Sequence, residues 1–251
     1  MRKTVFTLLF VLSLTLIHGV FESGETLTFK VKYGAITAGK ATLTIVEDTF
    51  QDSVPIYRIT SSARTNSFFD AFFKVRDEIE SIWHRDSLVA IRFTKQLREG
   101  NYRQLRVHNY FPDLGFSIYS VFDFRKSTFS DRQMDIPANT QDILSAMYTI
   151  RREKLTPGTS VWVDVVADGR SYRAEVRVLK RERIKTIFGR TNCIVLEPIL
   201  EGEAIFKQTG KILIWMTDDK WHIPVRIQSK IVFGSFYAIL TDAENVPLKL
   251  D

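Results

Sequence analysis

Apolar and polar residues alternate with a period of two along most of the chain, most clearly at 27–33, 41–45 and 172–178. Successive side chains of a β-strand point to opposite faces, so this alternation predicts strands with one apolar face and one solvated face. A helix would instead place apolar residues at a spacing near 3.6. We therefore expect a mainly β protein.

Short turn sequences separate the alternating runs at the spacing of an antiparallel meander. Gly34 and Gly39 bracket the first link. The later turns are Asp52-Ser53, Glu99-Gly100-Asn101, Pro112-Asp113-Leu114-Gly115, Ala167-Asp168-Gly169 and Thr217-Asp218-Asp219-Lys220. They predict about twelve strands. An antiparallel sheet of that size must curl, close or split. The predicted fold is thus a large curled antiparallel sheet (an open barrel, clam or spiral), with two stacked sheets as the alternative.

One segment, 140–154, departs from the alternation and is predicted to be a single central helix. Its apolar residues at helical spacing are Ile143, Ala146, Met147 and Ile150. Asn139 or Thr140 is expected to cap the first turn, and Asp142 suits the positive end of the helix dipole. The Pro-Gly pair at 157–158 ends the helix. We expect the sheet to wrap around it.

No Ser-, Gly- or Pro-rich linker divides the chain, so we predict a single β-rich domain over 24–242 and a C-terminal tail over 243–251. Cys193 is the sole cysteine, which excludes an intramolecular disulfide. It lies in an apolar strand-like run, where a buried and unreactive thiol is expected.

The N-terminus has the pattern of a secretory signal. Arg2 and Lys3 precede an apolar run from Val5 to Ile17. This run is shorter than the roughly 20 residues that a membrane-spanning helix requires. We predict a signal peptide over 1–19, with cleavage between Gly19 and Gly24, and a periplasmic mature protein without a transmembrane helix. The alternative is an uncleaved N-terminal anchor.

The formal net charge of +6 is a mild excess, but basic residues cluster at 92–106 and 170–190. Such clusters could attract the phosphates of lipid or nucleic acid. In the second cluster the basic residues alternate with apolar ones, which is typical of a strand with a solvated face. We favour that interpretation and expect no nucleic-acid partner.

The residues that catalysis or metal binding would need are sparse. Outside the predicted signal, His84, His108 and His222 are isolated and show no metal-ligand spacing. No nucleophile elbow, phosphate loop or dinucleotide motif is present. The adjacent acids at 218–219 and the pair at 201–203 are typical of solvated turns. We predict no catalytic residue, no metal site and no cofactor.

An unusually apolar segment, Ser67–Phe73, carries four phenylalanines in six positions. They are Phe68, Phe69, Phe72 and Phe73. In a short helix or turn at the mouth of a curled sheet, they could form a lip that binds an acyl chain. The alternative is that the rings close the end of the barrel as ordinary core.

Three segments together carry a family resemblance: Phe29–Leu43, Gln141–Arg151 and Gly210–Val225. Their combination, spread over about Gly24 to Thr241, resembles the bacterial DUF3108 family, whose function is uncharacterised. The resemblance implies an exported, β-rich envelope protein, similar in layout to the curled sheets of periplasmic lipoprotein carriers. It implies no catalytic residue.

Export, a curled sheet and the lack of catalytic motifs lead to a ranked set of hypotheses. The first is a non-enzymatic periplasmic envelope protein, near the membrane, that binds a lipid or a lipidated partner such as a lipoprotein in the concave face of its sheet. The second is an interaction module that binds another envelope protein through exposed strand edges and the basic face. The third is a hydrolase of unknown type.

Overall fold

The computed structural model describes residues 19–200, 209–231 and 234–248. The predicted signal segment lies outside the described residues up to His18. The strands are β1 (Glu25–Tyr33), β2 (Ile36–Phe50), β3 (Val54–Thr65), β4 (Arg76–His84), β5 (Ala90–Glu99), β6 (Tyr102–Phe111), β7 (Phe116–Asp123), β8 (Thr128–Asp135), β9 (Ser160–Ala167), β10 (Arg170–Thr186), β11 (Gly189–Leu200), β12 (Thr209–Thr217), β13 (Pro224–Ile231) and β14 (Ser235–Glu244). The α-helices are α1 (Ser67–Asp70) and α2 (Ile143–Arg151), and Pro112–Leu114 forms a 3-10 turn.

All fourteen strands belong to one sheet, in the order β8-β7-β6-β5-β4-β3-β2-β1-β14-β13-β12-β11-β10-β9. Neighbouring strands are antiparallel, and β1 pairs with β14, so the two ends of the chain meet in the middle of the sheet. The two free edges, β8 and β9, do not pair and the sheet is not closed into a barrel. The predicted open, curled antiparallel sheet is confirmed.

Side-chain contacts show how strongly the sheet curls. The turn between β9 and β10 reaches across to strands near the opposite end of the sheet order: Asp168 forms ion pairs with Lys95 on β5 and Arg106 on β6. Near it, the Tyr110 hydroxyl on β6 donates a hydrogen bond to the Val166 carbonyl. The β9–β10 hairpin therefore lies inside the curl, against the concave face of β5 to β8.

Helix α2 also lies inside the curl and contacts β9, β4 and β3. Its start differs from the prediction: Asp142 caps the helix, accepting hydrogen bonds from the Leu144 and Ser145 backbone, while the Ser145 hydroxyl bonds the Asp142 backbone N–H. Residues 140 and 141 are unavailable as a first turn because they bridge two strands. The Thr140 carbonyl accepts from the Ala90 N–H, and Gln141 pairs with Val165.

The basic run on β10 is a solvated face, as interpreted from its alternation. Tyr172, Ala174 and Val176 are buried, whereas Arg173 and Arg177 between them are exposed. The buried side chains join α2 and β9 in one apolar cluster. Burial of that single face, not the charge, explains the residue pattern here.

The two glycines that were expected to bracket the β1–β2 link differ in position, and the cysteine is buried. Gly34 lies in the β1–β2 turn with a positive φ of 56°. Gly39, in contrast, is not part of a turn: it lies within β2, beside a register irregularity, and a Cβ atom there would overlap the Arg64 carbonyl of β3. Cys193 is fully buried, as expected, and burial raises the pKa of its thiol to about 12.

A buried ion pair ties the helix to the middle of the sheet. The Arg151 guanidinium donates to both carboxylate oxygens of Glu25 on β1, at 2.5 and 2.8 Å, and both side chains are fully buried. Arg151 also donates to the carbonyls of Trp221 and Val20. This single side chain thus connects α2, β1, the β12–β13 connection and the segment before β1.

Within the described ranges, no helix combines the length and the apolar character needed to cross a membrane.

Candidate functional site

The predicted phenylalanine segment forms the connection between β3 and β4, Asn66–Val75, which we call the phenylalanine loop. Its single helical turn, α1, begins where the Asn66 side chain accepts a hydrogen bond from the Phe69 N–H. It ends where the N–H groups of Phe72 and Phe73 both donate to the Phe69 carbonyl. The loop is therefore an ordered turn with its backbone hydrogen bonds made locally.

Polar side chains fix this loop to the sheet. Asp70 accepts from the Arg76 guanidinium at 2.5 Å and from the Thr65 hydroxyl at 2.5 Å. These bonds lower the pKa of Asp70 below its usual value, and the bond from Arg76 has the larger effect. On the other side, the Asn66 amide donates to the Thr37 carbonyl at 2.7 Å. Strands on both sides of the loop thus hold its conformation.

The structure exposes most of the phenylalanine rings. Phe68 is 60% exposed, Phe72 75% and Phe73 53%, while Phe69 is half-buried. Phe68 contacts Phe69 and Phe72, with ring centroids 5.5 and 5.4 Å apart. The alternative that these rings close the barrel end as core is therefore wrong. The structure places the four residues on one loop and leaves the rings of Phe68, Phe72 and Phe73 mostly exposed.

The groove beside the phenylalanine loop has residues with polar side chains along its walls, but the surface that they present to it is mostly apolar. It has a volume of about 440 Å³, and its lining includes Lys40, Thr42, Ser62 and Arg64. These residues alternate with the inward-facing ones on β2 and β3, so the groove opens on the outer face. Helix α2 and the β9–β10 hairpin pack against the concave face. This site therefore offers a ligand the exposed rings and the apolar stretch of the groove beside them.

An apolar groove at the opposite edge of the sheet was not foreseen from the sequence. It has a volume of about 770 Å³ and lies where β4 meets β5 and β6 meets β7. Its lining residues are His84, Ser87, Val89, Ile91, Tyr110, Phe111, Pro112, Asp113, Leu114, Ala138 and Asn139. The apolar residues that flank the Pro-Asp turn could have indicated this groove in the sequence. A turn motif alone, however, does not show which other turns lie beside it.

The isolated histidines have structural partners. His84 Nδ1 accepts from two backbone N–H groups of its own turn, and His222 Nδ1 lies 2.8 Å from the Arg151 carbonyl. His108 Nε2 lies 2.9 Å from the Ser117 hydroxyl, a spacing that a hydrolase would require. The two side chains are 1% and 0% exposed, and burial lowers the pKa of His108 to about 4.

This His108–Ser117 pair lacks the remaining parts of a catalytic site. The nearby carboxylate, Asp168, bonds Lys95 and Arg106, and no described residue hydrogen-bonds His108 Nδ1. A substrate would have no access to a serine that is fully buried. We conclude that the pair is part of the packing between β6 and β7.

The candidate carboxylates and metal ligands also have ordinary partners. Asp218 pairs with Arg181, and Asp219 accepts hydrogen bonds from Thr217, Trp221 and His222 in its turn. The pair at 201–203 lies outside the described residues. In the part of the chain that the structure describes, no three potential metal ligands form a group.

Fold and site together define a class: an open, strongly curled β-sheet that encloses one helix and presents exposed aromatic rings at a strand connection. The chain belongs to DUF3108, a protein family of unknown function, whose model matches residues 28–241. The family resemblance found in the sequence is thereby confirmed. No catalytic family is indicated.

One solved structure supports the fold, and a second shows only a weak similarity. A β-barrel-like protein of the domain of unknown function DUF1849 from Brucella abortus has a TM-score of 0.59 at 10% identity, with 90% of this chain and 99% of that chain covered. A protein from Bacteroides fragilis, described as exported and as having a YmcC-like fold, is 9% identical with a TM-score of 0.30, covering 89% and 97%. No curated protein matches.

Proposed function

We propose that this protein is a non-enzymatic component of the bacterial cell envelope that binds the acyl chain of a lipid, or of a lipidated partner, at the phenylalanine loop. The observation that carries the proposal is the exposure of Phe68, Phe72 and Phe73 on a loop that polar bonds hold in place. Exposed apolar surface is unfavourable in water by about 25 cal/mol per Å². A patch of this kind marks a contact with an apolar partner.

Native mass spectrometry of the protein purified from membrane-containing lysate tests this proposal. The wild-type protein is expected to carry additional mass of a lipid, and the Phe68→Ser/Phe72→Ser variant is expected to lose it. Both rings are mostly exposed, so folding should be little affected, and unchanged thermal unfolding provides the control. A clean apo mass for the wild-type protein would contradict acyl-chain binding.

Export to the periplasm is part of the proposal, and the residues after the predicted signal suggest where cleavage occurs. The Val20 carbonyl accepts a hydrogen bond from Arg151, and Phe21 packs against Tyr57 and Tyr148 with ring centroids 5.0 and 5.1 Å apart. Cleavage after Gly19 would retain these contacts. N-terminal sequencing of the protein from a periplasmic extract should then give Val20 first; recovery only in the cytoplasm would contradict export.

A second candidate function, binding to another envelope protein, is favoured by the β8 edge. Every residue of β8 except Met134 is exposed, and one side of the strand has no neighbour in the sheet. Such an edge can accept a strand from a partner. Crosslinking in cells that captures one defined envelope protein through β8, from a preparation without bound lipid, would favour this function over acyl-chain binding.

A further inference from the structure

The phenylalanine loop is one of several connections that lie on the same side of the sheet. In an antiparallel order, β1–β2, β3–β4, β5–β6, β7–β8 and β13–β14 all turn at this side. The β9–β10 turn is on this side too, but it packs inside the curl against β5 and β6 and is not counted with the other five. Hydrogen bonds link several of these turns directly: Gly100 N–H to the Lys74 carbonyl at 2.8 Å, and Gly34 N–H to the Ser235 carbonyl at 3.0 Å. We call these connections, with the strand residues that adjoin them, the hairpin edge.

Most of the large apolar side chains that the described structure exposes lie on the hairpin edge. They are Ile36, Phe68, Phe72, Phe73, Tyr102, Phe124, Phe129 and Phe236. Each of the five connections contributes at least one. Their exposed fractions run from 41% for Phe236 to 75% for Phe72. The separate turns thus form one extended aromatic row.

The aromatic row is built from packed rings. Phe122 contacts Phe124 and Phe129 across the β7–β8 hairpin, with ring centroids 4.9 and 5.0 Å apart. Tyr33 and Phe236 pack at 5.0 Å where β1 meets β14. Because these rings are already packed, they lose little conformational entropy when they contact a surface, and this favours binding.

Cationic side chains accompany the rings and outnumber the carboxylates. The cations are Lys32, Arg64, Lys74, Arg76, Arg98, Arg103, Arg125, Lys126 and Lys230, and the carboxylates are Asp70, Asp77, Glu78, Glu99 and Asp123. Arg64 forms an ion pair with Glu78. Asp70 is neutralised by Arg76. Burial and the neighbouring Asp77 raise the pKa of Glu99 above its usual value.

The opposite edge of β2 to β7 has a different character. Its three turns carry Asp52, Asp86 and Asp113, and the cation among them, Arg85, pairs with Asp86. The opposite edge also exposes Phe111 and Leu114, but its three turns carry no cationic excess. Within β2 to β7, exposed rings and an excess of cations therefore occur together only on the hairpin edge.

From this arrangement we propose that the hairpin edge docks on the surface of an anionic phospholipid bilayer. Aromatic rings favour the interface between headgroups and acyl chains, and lysine and arginine are attracted to anionic headgroups. The inference rests on the proposed function in taking lipid as the partner. It goes further in assigning a bilayer surface, contacted by five turns together, where a single bound acyl chain would contact only one.

The test uses co-sedimentation of the purified protein with vesicles of phosphatidylcholine alone or with phosphatidylglycerol added. The wild-type protein should bind the anionic vesicles at least tenfold more tightly at low salt. Each cation near an anionic surface contributes about fivefold (about 1 kcal/mol), so Arg125→Gln/Lys126→Gln should weaken binding about 25-fold. High salt should remove most of the anionic preference, because the Debye length falls from about 10 Å at 0.1 M to about 3 Å at 1 M.

Matched variants distinguish docking through the hairpin edge from non-specific binding to vesicles. Phe124→Ser/Phe129→Ser removes rings that are 49% and 50% exposed on the hairpin edge and should weaken binding to both vesicle types. Ile143→Ser/Trp162→Ser removes side chains that are 49% and 46% exposed elsewhere, and Lys185→Gln/Arg190→Gln removes two cations from the opposite edge. Both controls should bind as the wild-type protein does.

The failures of the two proposals are distinguishable. Vesicle binding that is equal for neutral and anionic lipid, or that the two controls lose as readily as the hairpin variants, would overturn bilayer docking. A clean apo mass with intact vesicle binding would overturn acyl-chain capture and leave docking supported. Binding of an envelope protein at this edge, without vesicle binding, would also overturn the inference.

Discussion

Glu25→Gln is expected to be among the most damaging conservative substitutions in this protein. It removes the negative charge that pairs with Arg151, and both side chains are fully buried. The substituted amide would also direct N–H groups toward the guanidinium that now donates at 2.5 and 2.8 Å. Breaking a buried pair by removing one partner typically costs about 3 to 5 kcal/mol. We expect a loss of that size in the free energy of unfolding.

Urea unfolding followed by tryptophan fluorescence measures this loss. The matched control is Glu78→Gln, because the pair between Glu78 and Arg64 is 56% and 59% exposed. Exposed pairs contribute about 0 to 1 kcal/mol, so this control should scarcely shift the midpoint. The dependence of the unfolding free energy on urea should be the same in both variants. Equal shifts for Glu25→Gln and Glu78→Gln would refute the reasoning that burial makes the Glu25–Arg151 pair critical.

Further predictions concern pH and packing. Burial raises the pKa of Asp142 to about 6, above its usual 3.8, so this group lowers stability progressively as pH rises from 4 to 6. Between pH 4 and 7, the free energy of unfolding of Asp142→Asn should therefore rise by about 3 kcal/mol relative to that of the wild-type protein, as measured by urea titration. A difference between the two proteins that does not depend on pH would contradict this. The effect of His108 has the opposite sign: its pKa of about 4 lies below its usual 6.5, so its contribution to stability is present above pH 6.5 and is lost as pH falls to 4. In His108→Gln, the free energy of unfolding should therefore fall less steeply with decreasing pH than in the wild-type protein. An unchanged pH dependence would count against a neutral buried imidazole. Phe21→Ala should lower the melting temperature, since the ring packs against three aromatic neighbours; its half-burial suggests a cost of about 2 kcal/mol, below the 3 to 5 of a fully buried ring, and no change would remove the proposed role of this segment. Gly39→Ala should yield little folded protein in expression and circular-dichroism tests, because its Cβ would overlap the backbone of Arg64; wild-type stability would contradict that close approach.

Much of the fold could be predicted from the sequence because alternation depends only on which face of a strand is buried. The runs at 27–33, 41–45 and 172–178 all lie in strands. The helix start could not be placed because it depends on a long-range contact. Thr140 bonds β5 and Gln141 bonds β9, so the helix begins after them, with Asp142 as its cap.

The candidate site was only partly predictable for a related reason. The phenylalanine segment is contiguous, so the sequence alone indicated an apolar turn, which the structure shows as α1. The hairpin edge is different, because its rings come from five turns that are far apart in sequence. Ile36, Tyr102 and Phe236 look unremarkable one at a time, and only strand order brings them to one side. Periodicity does not determine that order.

The central claim, that the phenylalanine loop contacts acyl chains, is tested most directly by fluorescence quenching with dibrominated phospholipid. A Phe72→Trp variant places an indole at the most exposed ring position of the loop, and a Leu114→Trp variant places one at a side chain that is 69% exposed on the opposite edge. Phe72→Trp should be quenched beyond the wild-type signal, and Leu114→Trp should not. Equal signals from the two variants, or no added quenching of Phe72→Trp, would contradict it.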